Sequence, residues 1–351
     1  MPRRKSRRRL WWATLLILVL LAGGALVGLY SWARGTLMTP FKGYADDEKI
    51  VRVAPGMGVR QILDRLADEG ILAHSDLTRL YLVRVLGDPP LRAGEYRFSE
   101  ALTAPQVLDK LLRGDVVTYP VTLIEGLTLE EQAKHLAQQG FGDEAAFLEA
   151  MRTPRRIADL DPLATDLEGY LFPDTYRFAS ATPEPEIVET LVATFRKHYR
   201  ERLRPLLDPG SPGRLREVVT LASIVEKEAR LDSERPLIAG VYANRLERGI
   251  ALYADPTVIY ALKRLGRWDG NLRRRDLQID SPFNTYRYPG LPPGPIASPG
   301  LSSLLAAAQP ADVPYLYFVS RNDGSHVFSE TLAEHNRNVD VWQRQYFRRK
   351  R

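Results

Sequence analysis

Hydrophobic and polar positions divide the chain into one unbroken apolar block and a long patterned remainder. Leu10–Trp32, "LWWATLLILVLLAGGALVGLYSW", carries no charge over 23 residues. At ~1.5 Å per residue that is long enough to cross a hydrocarbon core of about 30 Å as a helix. After a linker at 33–48, "VRVAPGMGVRQILDRLADEGI" (51–71) reads as an alternating strand, a Gly turn, an amphipathic helix and a Gly stop. "VTLIEGLTLEEQAKHLAQQGF" (121–141) repeats that order, pairing Val51 with Val121, Gly56 with Gly126, Leu66 with Leu136 and Gly70 with Gly140. "EYRFSEALTAPQVLDKLL" (95–112) and "TYRFASATPEPEIVETLV" (175–192) correspond in the same way, with extra residues near 153–170. A strand–helix–helix–strand–helix unit therefore occurs twice.

A third region opens near Leu215. Its pattern predicts helices over 216–230, from Ser233 to Gly249, and over 255–266 with Asp255 as cap and Pro256 at the first position. Residues 281–300, "SPFNTYRYPGLPPGPIASPG", form a Pro/Gly loop too aromatic for a plain linker. "YLYFVS" and "SHVFSE" flank "RNDG" as a hairpin, and a last helix covers 331–346. The whole reads as an α+β chain behind an N-terminal transmembrane helix.

Composition narrows the picture. The net charge of +6 comes from the ends: six basic residues lie within 1–9, and the last four residues are all basic. The body between is slightly acidic, which argues against a phosphate-binding groove and a nucleic-acid partner. With no cysteine there is no disulfide, thiolate nucleophile or cysteine metal site. Basic residues before the apolar block and Trp and Tyr at its two ends predict a single-pass anchor with a cytoplasmic N-terminus. The block is longer than the apolar core of a signal peptide.

The candidate chemistry sits in "LASIVEKEARLDSE" (221–234). At about 100° per residue Glu228 falls between Leu221 and Ile224, inside the apolar stripe. Glu226 falls on the rim beside Val219, where an acid is ordinarily solvated, and Ser223 and Lys227 face outward. An acid among apolar groups resists ionisation, and a raised pKa is what a general acid needs at neutral pH. The same position also suits a helix-end acid paired with Arg230, Arg235 or Arg245. His326 and His335, with Glu330 and Glu334 between them, lack a metal-ligand spacing, and no metal or cofactor is expected. The loop residues Asn284, Thr285, Tyr286, Arg287 and Tyr288 supply amides, hydroxyls and flat rings suited to sugar, or equally to a rigid packed loop.

"ASIVEKEA", "YANRL", "DPTVIYAL", "PFNTYRYPGLPPGPIASPG", "YLYFVS" and "SHVFSETLAEHN" occur here in one order. Together they resemble the YceG-like (MltG-type) endolytic murein transglycosylases, densely over 221–338 and more loosely over 50–200. The resemblance implies a LysM-like subdomain at 49–118, a second repeat-like region at 119–212 and a catalytic domain at 213–346, followed by a basic tail at 347–351. It implies an inner-membrane enzyme whose catalytic domain faces the periplasm. That enzyme cuts nascent peptidoglycan strands between MurNAc and GlcNAc to leave 1,6-anhydro-MurNAc ends, with cell-wall synthases as partners. The family's catalytic acid maps onto Glu228, and its cleft onto Tyr253, Asp255, Asn284, Thr285, Tyr286 and His326. Ala229 stands where many relatives carry Thr, which removes a minor hydrogen bond beside the acid. Two other classes stay open: a LysM-like wall-binding protein without activity, and a glycan hydrolase that adds Asp255 or Glu226 as a second carboxylate.

Overall fold

The computed structural model describes residues 4–207 and 213–345, with backbone alone for 4–10. The expected basic tail at 347–351 and the final residue of the last expected helix lie outside the described residues, as does the start of the tail at 1–9. The chain is α+β and divides into two compact units, 1–119 and 120–351.

The first unit begins with α1 (Arg4–Met38). Among the described residues, Trp11–Met38 is the one stretch of helix long and apolar enough to cross a membrane. The helix overruns the expected linker at 33–48 because no breaker occurs before Pro40, and Leu37 is already buried. There follow β1 (Lys49–Val53), α2 (Val59–Asp68), α3 (Ser75–Val85), β2 (Gly94–Phe98) and α4 (Ala104–Arg113). β1 and β2 pair antiparallel, with Val51 opposite Tyr96. Their inward side chains join Ile62, Leu63, Leu66, Val107, Leu108 and Leu111 in one core.

The second unit repeats the order with β3 (Tyr119–Thr122), α5 (Leu129–Gln138), α6 (Glu144–Met151), β4 (Thr175–Phe178) and α7 (Glu184–His198). The correspondence extends to side chains. Leu66 and Leu136 are both 0% exposed, each contributing about 1.5–3 kcal/mol by burial. Gly56 and Gly126 both take a positive φ, at 81° and 73°, where the chain turns from strand to helix. Tyr96 donates to the carbonyl of Arg92, and Tyr176 to that of Phe172, each at 2.7 Å and each four residues back. The inserted segment before β4 carries buried Asp161 and Glu168.

The unit continues with α8 (Arg214–Glu228), α9 (Arg235–Glu247), α10 (Asp255–Arg264), α11 (Leu301–Ala308), the antiparallel hairpin β5 (Tyr317–Ser320) and β6 (His326–Ser329), and α12 (Leu332–Val339). α8 ends two residues before the predicted boundary, because Ala229 already has extended backbone, φ −78° and ψ 131°. Of the two residues expected to face outward from α8, Lys227 is exposed and Ser223 is not. Ser223 is 0% exposed, donates to the carbonyl of Thr220 and accepts from the amide of Ile296. Lys227 Nζ donates to the carbonyl of Gly126 at 2.9 Å. Through 218–225 α8 is therefore a core helix, buried on every side.

What covers it is the loop at 281–300. Arg216 holds this loop through the carbonyl of Pro293, and Ser298 exchanges backbone hydrogen bonds with the turn at 126–127. Gly169 allows the close approach on the loop's other side. A Cβ there would meet Pro295 at 2.5 Å and Val219 at 2.9 Å, and its φ is 82°.

Candidate active site

Glu228 is the last residue of α8. The residue is partly exposed while its carboxyl lies deep among protein atoms. Tyr242, on α9 and 1% exposed, donates its hydroxyl to Glu228 Oε1 at 3.2 Å. Burial raises the carboxyl pKa to about 7 and the negative charge of Asp255 adds to that rise; the Tyr242 hydrogen bond and the Arg245 charge oppose it.

The arginine pairing open from sequence does not form. Arg245 is buried and donates to the carbonyls of Leu316 and Leu252 at 2.7 and 2.6 Å, so it acts on Glu228 as a nearby charge. Arg235 pairs with Glu226 at 3.0 Å, and both side chains are buried. Glu226 also accepts from the amide of Gly300. The expected solvated rim acid is thus a buried structural anion. Residues of α9 and α11's N-terminal turn cover a helix face that looks open on a wheel.

Asp255 and Tyr286 complete the surround. Asp255 is the first residue of α10; the cap position belongs to Ala254, and no side chain caps the helix. The Asp255 carboxylate is drawn instead to the Tyr286 hydroxyl, which donates at 2.6 Å. Burial and that bond hold the Tyr286 phenol well above its ordinary pKa. The Tyr286 ring stands edge-on to Tyr253, centroids 5.3 Å apart. Tyr253 is 51% exposed and has φ 48°, a strained conformation for an aromatic residue at the solvent-facing side of Tyr286.

Asn284 and Thr285 take supporting places. Asn284 is 0% exposed; its amide donates to the carbonyls of Leu277 and Ile279, and its oxygen accepts from the amide of Tyr286. Thr285 accepts from the amide of Ala254 and bonds the Thr257 hydroxyl. Both fix the loop that carries Tyr286 and the turn that carries Tyr253 and Asp255. Arg287 and Tyr288 turn outward and join Asp280.

His326 lies behind the site. Its Nδ1 bonds Glu234 at 2.7 Å, and its amide donates to the other oxygen of that carboxylate. Its ring meets Phe318 edge-on, and Phe318 in turn meets Tyr242. His335 stacks on Tyr317 instead. Among the described residues no group of three or more His, Asp or Glu is placed to hold a metal ion.

The structure therefore gathers Glu228, Asp255, Tyr286 and Tyr253 and adds Tyr242, which the periodic pattern alone did not mark, while Arg245, expected only as a candidate ion-pair partner, acts from a distance. A buried Tyr must pair its hydroxyl, and "YANRL" held that signal without naming its partner. A cavity of about 780 Å³ between α6 and α7, lined by Glu149, Arg155, Arg156 and Glu189, contains none of these residues.

Comparison with known proteins agrees with the sequence motifs. Residues 51–341 match the YceG-like family. A Bacillus subtilis protein named endolytic murein transglycosylase is 31% identical over 304 residues, 82% of each chain. A Streptococcus pneumoniae protein of the same name is 29% identical over 329 residues; the match covers 84% of this chain and 59% of that protein. The crystal structure of a YceG-like protein from Listeria monocytogenes is similar with a TM-score of 0.56 and 32% identity, covering 84% of this chain and 99% of that one. By a match that runs from the first strand into the C-terminal helix, the chain belongs to the YceG-like family.

Proposed function

We propose that this protein is a membrane-anchored endolytic murein transglycosylase that uses Glu228 as its single acid and base. The observation that carries the reading is a deep-set carboxyl, on a residue that is itself partly exposed, with its pKa raised to about 7 and set among Tyr242, Asp255 and Tyr286 on the second unit. The curated relatives named endolytic murein transglycosylase give the substrate class.

The reaction follows from one carboxyl that can give a proton and take one back. Neutral Glu228 protonates the glycosidic oxygen between MurNAc C1 and the next GlcNAc as C1 acquires oxocarbenium character. The C–O bond breaks, and GlcNAc leaves with the new hydroxyl. The Glu228 carboxylate then takes the proton from the C6 hydroxyl of the same MurNAc. O6 closes on C1, the 1,6-anhydro ring forms, and Glu228 is neutral again. The nucleophile belongs to the substrate, so no second bimolecular encounter is needed. The exposed ring of Tyr253 gives a sugar face to stack on, and the Asp255–Tyr286 pair gives hydrogen-bonding groups for its hydroxyls.

α1 would anchor the enzyme in the cytoplasmic membrane with its N-terminus inside, and the second unit would act outside on strands as they are made. Cell-wall synthases are the partners that this location implies. The LysM-like reading of 49–118 belongs to the same proposal.

One observation favours a second reading. Asp255 is an exposed carboxylate within electrostatic reach of Glu228, as a hydrolase with two carboxylates requires. The test is to incubate the full chain and its Glu228→Gln variant with uncrosslinked glycan strands and weigh the products. Anhydro ends that disappear in the variant support the transglycosylase. Reducing ends support the hydrolase, and anhydro ends that persist in the variant remove Glu228 from its role.

A further inference from the structure

α1 and α3 enclose an apolar groove of about 500 Å³, lined by Tyr30, Leu37 and Met38 on one side and Leu77, Leu80 and Val85 on the other. The groove continues onto open surface. Leu80 is 54% exposed and Val83, one turn on, 40%; Val85 and Leu86 end the helix at 63% and 38%. Only Thr78 and Leu82 of α3 are buried. A contiguous apolar surface of this kind marks an interaction site rather than ordinary surface.

What lies beside it identifies the occupant. One wall of the groove is the apolar helix Trp11–Met38 itself. Leu77 also lines a small recess with Thr36, Leu37 and Phe41. This sets the start of α3 at the end of α1, and its Val85 end back toward Tyr30. If Trp11 and Trp12 mark one boundary of the hydrocarbon, about 20 residues at 1.5 Å each put the other near Tyr30–Trp32. α3 then lies alongside the part of α1 that emerges into the headgroup layer, where its exposed Leu80, Val83 and Val85 side chains would rest among acyl chains. Arg34 and Arg84 line the same groove and are exposed, so their charges would face lipid phosphates on a membrane surface.

We infer that α3 is an interfacial helix seated in the outer headgroup layer of the bilayer, holding the first unit against the membrane surface. This rests on the reading of α1 as the membrane span. The occupant is lipid, because the groove is continuous with the surface that the span presents to lipid.

The chain has no native cysteine, so a single introduced one carries a nitroxide without background. Leu80→Cys, Val85→Cys, Leu20→Cys and Arg52→Cys variants of the full chain would be labelled and reconstituted in vesicles of phosphatidylethanolamine and phosphatidylglycerol. Relaxation of each label by oxygen and by a water-soluble nickel chelate reports its depth. The Leu80 and Val85 labels should gain oxygen contact and lose nickel contact relative to Arg52, at a depth between Arg52 and Leu20. Labels that match Arg52 while Leu20 stays deep would overturn the inference and leave the anchor standing. Labels shielded from both reagents would mean a protein partner or a second copy, and would overturn it too. A Leu20 label open to nickel would remove the anchor and this inference with it.

Discussion

The Tyr242 hydroxyl and the Glu228 carboxyl meet at 3.2 Å across two consecutive helices, and this bond opposes the burial that keeps the acid protonated. Glu228 must be neutral to start the proposed reaction. Product formation per enzyme should therefore hold at low pH and fall about tenfold per pH unit above a limb near 7. Tyr242→Phe keeps the ring but removes the bond that favours the ionised acid, so the limb should move to higher pH. The measurement is kcat/KM for anhydro-product formation against pH; a limb that does not move would show that Glu228 does not set it.

Asp255→Asn should act in the opposite direction. It removes a negative charge that raises the Glu228 pKa, so the limb should move to lower pH with turnover retained. Opposite displacement in two variants cannot come from general loss of folding. Loss of all turnover at every pH, with the fold intact, would instead make Asp255 the second carboxylate of a hydrolase.

Glu228→Gln should exchange activity for stability. Both folded and unfolded chains hold the Glu228 proton well below pH 4.5, and there the variant gains nothing. As pH rises from about 4.5 toward 7, the unfolded carboxyl ionises while the folded one resists, so wild-type stability falls. Above about 7 the difference reaches an order of magnitude of 1–3 kcal/mol. Inactive Glu228→Gln should then unfold at higher denaturant than wild type at pH 8, with the gap closing toward pH 4.5. Equal midpoints at both pH values would mean that the carboxyl is not held neutral by the fold.

The sequence carried the local order well, because it depends on neighbours. The alternation around Val51 and Val121, the glycines at 56 and 126 and the paired Tyr96 and Tyr176 each report a strand or turn that forms by itself. Glu228 was visible because Leu221 and Ile224 flank it on the same helix face. Glu226 was misread because its partners, Arg235 and Gly300, come from other elements, and no wheel contains them. Asn284 stood out as a polar residue in a candidate cleft. Its use inside its own loop depends on the carbonyls of Leu277 and Ile279 turning toward it. The partner of Tyr242 was hidden for the same reason: the α8–α9 crossing brings the two residues together.

Glu226→Gln tests the structural assignment of the first acid in "EKE". It leaves Arg235 buried with one charge partner fewer, and breaking such a pair costs about 3 kcal/mol. The variant should lose stability by roughly that amount in denaturant unfolding. The surviving folded enzyme should keep the wild-type pH limb. A normal midpoint with altered pH dependence would place Glu226 in the chemistry instead.

Glu168 gives a comparison between an acid on a fully buried residue and one on a partly exposed residue. It is 3% exposed, both its oxygens accept from the amide of Leu129 at 3.1 Å, and the Tyr260 hydroxyl donates at 3.2 Å. Burial lifts its pKa to about 8, so at pH 7 it is mostly neutral, like the glutamine that would replace it. The unfolded carboxyl ionises near 4.5, so the cost of Glu168 to stability grows from there and is complete only above about 8. Glu168→Gln should keep full turnover at pH 7 and gain more in unfolding midpoint at pH 9 than at pH 5. Glu168→Leu should lose about 1–3 kcal/mol, because the Leu129 amide and the Tyr260 hydroxyl are left without a partner. If Glu168→Gln folds normally yet loses turnover as Glu228→Gln is expected to, a raised pKa on a fully buried residue is enough for a catalytic role here, and partial exposure of the residue is the wrong ground for choosing Glu228.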